Sequence, residues 1–137
     1  MSMPSIFFTA PLFEAKEFRL NHDLPDEDVF QCGGMDSLKI SMLRAFLNDV
    51  TWDVKMMDDF AKIASQGEEW TWQLPSDLVA TLAALDKPQI LEAATAWAAT
   101  EEMDCDPKDI LFLVDGMKRI TLRSLHTEQP MFLYLSL

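Results

Sequence analysis

The residues from Met131 onward restrict what this chain can fold into more than any other stretch. Met131-Phe132-Leu133-Tyr134-Leu135 is a run of large apolar side chains two residues from the end of the sequence, and it reads as a buried strand. Chain ends fray unless a sheet or core holds them, so this strand must find partners earlier in the chain. Met3–Thr9 is one, with Pro4 at its start and Ile6, Phe7 and Phe8 behind it. Trp70-Thr71-Trp72-Gln73-Leu74 is another, alternating large apolar with polar residues. Its period of two places Trp70 and Trp72 on one face. Val29–Cys32 is a shorter extended piece before the turn at Gly33-Gly34.

Helical patterns occupy most of the rest. A short helix is expected over Pro11–Leu20, carried by Leu12, Phe13, Phe18 and Leu20, followed by a loop over Asn21–Asp28. Asp36 caps a helix to about Asn48. Its apolar residues fall on two faces, Leu38/Met42/Ala45/Phe46 and Ile40/Leu43/Leu47, which predicts a well-buried helix. A further helix is predicted from Asp49 or Thr51 to about Ser65, with Trp52, Met56, Phe60, Ile63 and Ala64 at helical spacing and Gly67 as its stop. Pro75-Ser76 opens a helix through Leu78, Val79, Leu82, Ala83 and Leu85. Asp86-Lys87-Pro88-Gln89 combines a cap, a first-turn proline and a capping-box glutamine, and starts a helix to about Glu102. Asp106-Pro107-Lys108-Asp109 repeats that chemistry. The helix it opens carries the stripe Ile110, Leu113, Val114, Met117, Ile120 and Leu125. Gly116 is its weak point, about 1 kcal/mol less favourable than alanine in a helix interior. No alternating βα units occur. The expectation is one α+β domain over residues 1–137, with about five helices on one face of a sheet of three or four strands, the N- and C-terminal strands lying in the sheet.

Function classes can be narrowed by what the chemistry requires. The net charge of −12 disfavours binding to a phosphate backbone, so no nucleic-acid partner is expected. No apolar run nears the roughly 18 residues of a membrane span, and Ile6–Ala10 lacks the basic flank and length of a secretory signal. Cys32 and Cys105 are expected to be reduced thiols, which suits a cytoplasmic location. Nucleophilic catalysis needs a serine or cysteine beside a base. His22 stands in an acidic loop and His126 near a helix end, with neither beside a nucleophile. Cys105, between Asp104 and Asp106, is a blunted thiol. Four scattered Cys and His residues give no zinc spacing. An EF-hand loop from Asp104 would need glycine where Asp109 stands. No glycine loop matches a phosphate fingerprint. Asp58-Asp59 are adjacent and point apart on a helix. The expectation is therefore no catalytic residue, no metal and no cofactor.

Charge distribution is more informative than its total. Residues 68–106 hold nine acids and one base, Lys87, two thirds of the whole excess. Asp77 and Asp86 suit helix N-termini, whereas Glu101 and Glu102 stand near a helix C-terminus, where negative charge is unfavourable. A locally unfavourable choice points to another use. Glu68, Glu69, Glu101, Glu102, Asp104 and Asp106 are the candidate partner-binding charges, with Trp70 as an aromatic anchor. Such a surface attracts a basic protein.

Leu74–Asp86, Trp97–Glu102 and the closing Phe132–Leu137 resemble small, acidic, uncharacterised bacterial proteins, across roughly the C-terminal half. In general character the chain also resembles the immunity proteins that neutralise bacterial toxins. That resemblance implies a protein-binding inhibitor, without catalysis, directed at a basic partner such as a cognate toxin. The alternative expectation is a housekeeping, regulatory or scaffold domain whose acidity serves solubility alone. The sequence leaves the oligomeric state open.

Overall fold

The closing strand sits in the middle of a five-stranded antiparallel sheet of order β2-β1-β5-β4-β3, in a computed structural model that describes residues 4–19 and 23–137. The strands are β1 (Pro4–Thr9), β2 (Val29–Gly33), β3 (Ala61–Gln66), β4 (Glu69–Gln73) and β5 (Met131–Ser136). β5 pairs with β1 on one side, Phe7 opposite Leu133, and with β4 on the other, Trp72 opposite Leu133. Every residue from Met131 to Leu135 is buried. This is the arrangement a short apolar strand at a chain end requires, since both its faces are covered and both its hydrogen-bonding edges are satisfied.

Five α-helices complete the fold: α1 (Leu12–Ala15), α2 (Ser37–Leu47), α3 (Ser76–Ala83), α4 (Lys87–Ala98) and α5 (Pro107–Thr127). α5 lies on the sheet against β1, β2 and β5, with α3 and α4 packed on α5 and α2 on α4. The larger core lies between these helices and the sheet face bearing Phe7, Met131 and Leu133. The start chemistry read from sequence is in place. Asp36 accepts from Lys39 N at 2.9 Å, Asp86 and Gln89 form a reciprocal capping box, and Asp106 accepts from Lys108 N at 2.9 Å.

Four expectations are corrected. The sheet has five strands because Ala61–Gln66, expected at the end of a helix, is strand β3. The segment before it is a 3₁₀ turn, Val54–Asp59, capped by Asp53 rather than by Asp49 or Thr51. β4 would otherwise expose an unpaired edge, and strand pairing outweighs the local helical spacing. Gly67 accordingly serves a two-residue hairpin loop between Gln66 and Glu69, at φ +59°, which favours glycine. Secondly, the helices do not occupy one face alone. The predicted helix over Pro11–Leu20 shortens to α1, and the chain beyond it folds over the opposite sheet face (Leu20 and His22 lie outside the described residues). There Ala15 and Phe18 form a second core with Ile6, Phe8, Phe132 and Tyr134. Thirdly, Leu125 is exposed, and Thr121 and Ser124 complete the buried stripe of α5. They continue the 3.6-residue period from Met117 and Ile120, whereas Leu125 falls off that face. Fourthly, α2 buries Ile40 and Leu43 on one of its apolar faces, with Leu47 half-buried, whereas on the other only Ala45 is buried, Leu38 and Met42 are half-buried and Phe46 is exposed.

Candidate partner-binding surface

The acidic residues singled out in the sequence fall at two places. Glu101, Glu102, Asp104 and Asp106 lie in the connection from α4 to α5. The segment is anchored by hydrogen bonds from Asp104 N to Thr100 O at 2.8 Å and from Cys105 N to Ala98 O at 3.2 Å. Met103 and Cys105 are half-buried and pack on the larger core. Alternation about these inward residues leaves Glu102, Asp104 and Asp106 exposed, with Glu101 beside them. Asp104 holds φ +39°, a left-handed conformation that aspartate tolerates better than most residues. Asp106 is committed to capping α5.

Glu68, Glu69 and Trp70 lie at the β3–β4 hairpin. Glu68 is exposed. Glu69 is half-buried and accepts a hydrogen bond from the Tyr134 hydroxyl, with Arg19 Nε at 3.8 Å from its second oxygen. Its charge is thus used within the fold. Trp70 is half-buried opposite Leu135. The hairpin belongs to the sheet and the α4–α5 connection to the helical layer. Among the described residues no hydrogen bond or ion pair joins the two places.

The arginines and two of the seven lysines are engaged within the fold. All four arginines have internal partners: Arg19 with Glu69 and Gln66, Arg44 with Asp59 and Asp77, Arg119 with the carbonyls of Asp26, Glu27 and Val29, and Arg123 with Glu27 and Asp28. Lys39 and Lys118 donate to the carbonyls of Gly34 and Leu85. Among the described residues, Glu68, Glu92, Glu101, Glu102 and Asp104 form no side-chain hydrogen bond or ion pair. No three His, Cys, Asp or Glu side chains converge into a metal-binding group among the described residues.

His126 is exposed in the last turn of α5 and borders an open groove of about 470 Å³ with Glu27, Asp115 and Arg123. Asp115 precedes it by eleven residues, about 16 Å along a helix, and Glu27 is held by Arg123 at 3.1 Å. Among the described residues His126 forms no hydrogen bond or ion pair with a carboxylate. Both cysteines are free. Burial pushes the Cys32 thiol up to about 12. Burial also raises the Cys105 thiol, with the carboxylates of Asp109, Asp104 and Asp106 adding to it.

The exposed apolar side of α2 was not recognised as a surface from sequence. Its signal was present, since a helix with two apolar faces either is enclosed or offers one of them to a partner. No family model matches the chain, and no match is found among the curated proteins or the solved structures.

Proposed function

We propose that the protein is an inhibitor of immunity type that binds a basic protein, such as a cognate bacterial toxin, through its acidic surface. One observation carries this reading. Glu101, Glu102 and Asp104 stand exposed and without partners on one connection, while every arginine of the chain is consumed internally. An uncompensated field of this kind accelerates association with a cationic surface by up to several powers of ten at low salt. Glu68 adds to that field and Trp70 is the aromatic anchor, while Glu69 is held by Tyr134 and Arg19 and Asp106 caps α5. In this reading the protein is not an enzyme and uses no cofactor. It acts in the cytoplasm, where its free thiols stay reduced.

The test is co-expression with the product of the adjoining gene in a heterologous bacterial host. That product alone should arrest growth, the intact protein should restore it, and Glu101→Lys/Glu102→Lys/Asp104→Lys should fail to restore it while remaining folded. Absence of arrest, absence of binding at micromolar concentration, or full protection by the triple variant overturns the proposal.

A further inference from the structure

The unburied side of α2 faces a continuous groove. Three adjoining cavities of about 380, 380 and 420 Å³ follow the seam between α2 and α4 to the end of α3. The first two share Phe46, and the second and third share Leu47, Leu85 and Gln89. At the end between α2 and α4 the floor is apolar, formed by Met42, Phe46, Val50, Trp52, Ala96 and Trp97. Both indoles are fixed. Trp52 Nε1 donates to Ser41 Oγ at 2.9 Å and Trp97 Nε1 to Lys39 O at 2.9 Å. Phe46 and Val50 are 38% and 49% exposed. That is far more than the buried Ile40 and Leu43 on the other side of the helix, so this side faces solvent.

The rim is of one sign. Asp49, Glu92 and Glu102 are the charged residues along the three cavities, and no Lys, Arg or His lines any of them. All three are exposed, and none forms a side-chain hydrogen bond or ion pair among the described residues. An apolar floor with an uncompensated acidic rim fits a ligand with the inverse pattern. A second copy of this chain would bring its own carboxylates against these. An anionic membrane surface is repelled for the same reason. α2, α3 and α4, which form most of the walls, spend their backbone hydrogen bonds internally and offer no edge to an added strand. Glu92 lies within α4, and Glu102 lies in the connection beyond its end at Ala98.

We infer that this groove docks a cationic amphipathic helix of a protein partner. One or two large apolar side chains of that helix lie on Phe46 and Trp52. Lysines or arginines on its polar face reach Asp49, Glu92 and Glu102. The inference rests on the reading of the acidic surface as partner-facing, with which it shares Glu102. Phe46 and Glu92 belong to the groove alone.

The probe is a 15-residue amidated peptide of leucine and lysine in helical amphipathic order, paired with a twin carrying glutamate for every lysine. The lysine peptide should bind with a Kd in the micromolar range, more weakly as salt rises, and the glutamate twin should not bind. Amide shifts on binding should concentrate in α2, at Trp52 and in α4. Glu92→Lys should weaken binding at least about tenfold, Phe46→Ser should do likewise, and Glu17→Lys, exposed and outside both the groove and the acidic places, should leave it unchanged. Glu92 is exposed and forms no side-chain hydrogen bond or ion pair among the described residues, so its variant stands if Phe46→Ser does not fold. Shifts centred elsewhere, or equal weakening by Glu17→Lys and Glu92→Lys, overturn the inference. The two proposals separate in the growth assay. Protection by Glu92→Lys and Phe46→Ser together with failure of the triple reversal removes the groove and keeps the acidic surface, whereas failure of all of them supports both.

Discussion

Replacing Gly116 by alanine sets two physical rules against each other. Within an exposed helix interior the change gains about 1 kcal/mol of propensity. In this fold the Cα of Gly116 faces the Phe30 ring, and three ring carbons, Cζ, Cε1 and Cε2, would all lie within 2.6 Å of an added Cβ. Carbon contacts settle at roughly 3.5–4.0 Å, so the ring would have to retreat by about 1 Å. It is flanked by Phe7, with ring centroids 6.5 Å apart, and by Phe112 at 6.4 Å. Its movement therefore disturbs the contact between α5 and β2. Overpacking of this kind costs about 1–3 kcal/mol. After the propensity gain is offset, Gly116→Ala should destabilise the protein by about 1 kcal/mol, lowering Tm by about 4 °C for a domain of this size. Phe30→Ala removes the obstacle, and on that background Gly116→Ala should stabilise by about 1 kcal/mol. Urea unfolding of the four proteins of the cycle gives the coupling between the positions, expected at about 1–3 kcal/mol. A single variant Gly116→Ala that gains the full helix-propensity increment, or a coupling below about 0.5 kcal/mol, would refute the argument that glycine is required here by close approach.

Three further outcomes follow from the same contacts. Phe18 stacks on Phe8 at 4.2 Å and meets Tyr134 edge-on at 5.1 Å, so Phe18→Ala should cost about 3–5 kcal/mol in urea unfolding; a loss below about 1 kcal/mol would mean that the second sheet face is not held by this segment. Arg44 grips Asp77 through two nitrogens at 2.8 and 3.0 Å, and this hydrogen bonding, opposed in part by burial, holds the Asp77 carboxyl below its ordinary 3.8. A depressed folded-state value gives stability that is present above pH 3.8 and lost as pH falls through that lowered value. Arg44→Met should be less stable than the parent at pH 7 by about 1 kcal/mol, the exposed carboxylates limiting the effect, and the gap should narrow below pH 3.8; a constant gap contradicts this. Cys32, raised to about 12 from its ordinary 9.0, has a thiolate fraction about a thousandfold lower at pH 8. Iodoacetamide labelling followed by mass spectrometry should find it slow in the folded protein and fast in urea, with Cys105 labelled first; prior labelling of Cys32 would contradict its burial.

Much of this architecture was legible in the sequence because the responsible interactions are local. Asp36, Asp86 and Asp106 stand two or three residues from the amides they cap, and Pro107 needs no partner beyond its own ring to start α5. The alternation of Trp70 and Trp72, and the apolar run from Met131, announce strands whatever they pair with. Over residues 51–66 the local spacing and the final structure disagree. Trp52, Met56, Phe60 and Ile63 keep a helical period, yet Ala61–Gln66 completes the edge of β4, and a strand's hydrogen-bonding partner is set by the path of the whole chain. The burial of α2 was overestimated for a related reason, since a two-sided apolar pattern does not say whether an element exists to cover the second side.

The candidate surface divides along the same line. Sequence alone determined how much negative charge the stretch from residue 68 to residue 106 carries, and that Lys87 is its single base. Tertiary structure decided which of those charges remain free. Long-range pairing draws Glu69 to Tyr134 and Asp77 to Arg44, while Met103 and Cys105 turn Glu102 and Asp104 outward. Only the packing of α2 on α4 brings Glu102 to one cavity and Asp49 and Glu92 to the next, the two meeting at Phe46. The reason is physical: a side chain's charge is fixed by its own chemistry, but its compensation depends on neighbours that folding brings from distant parts of the chain.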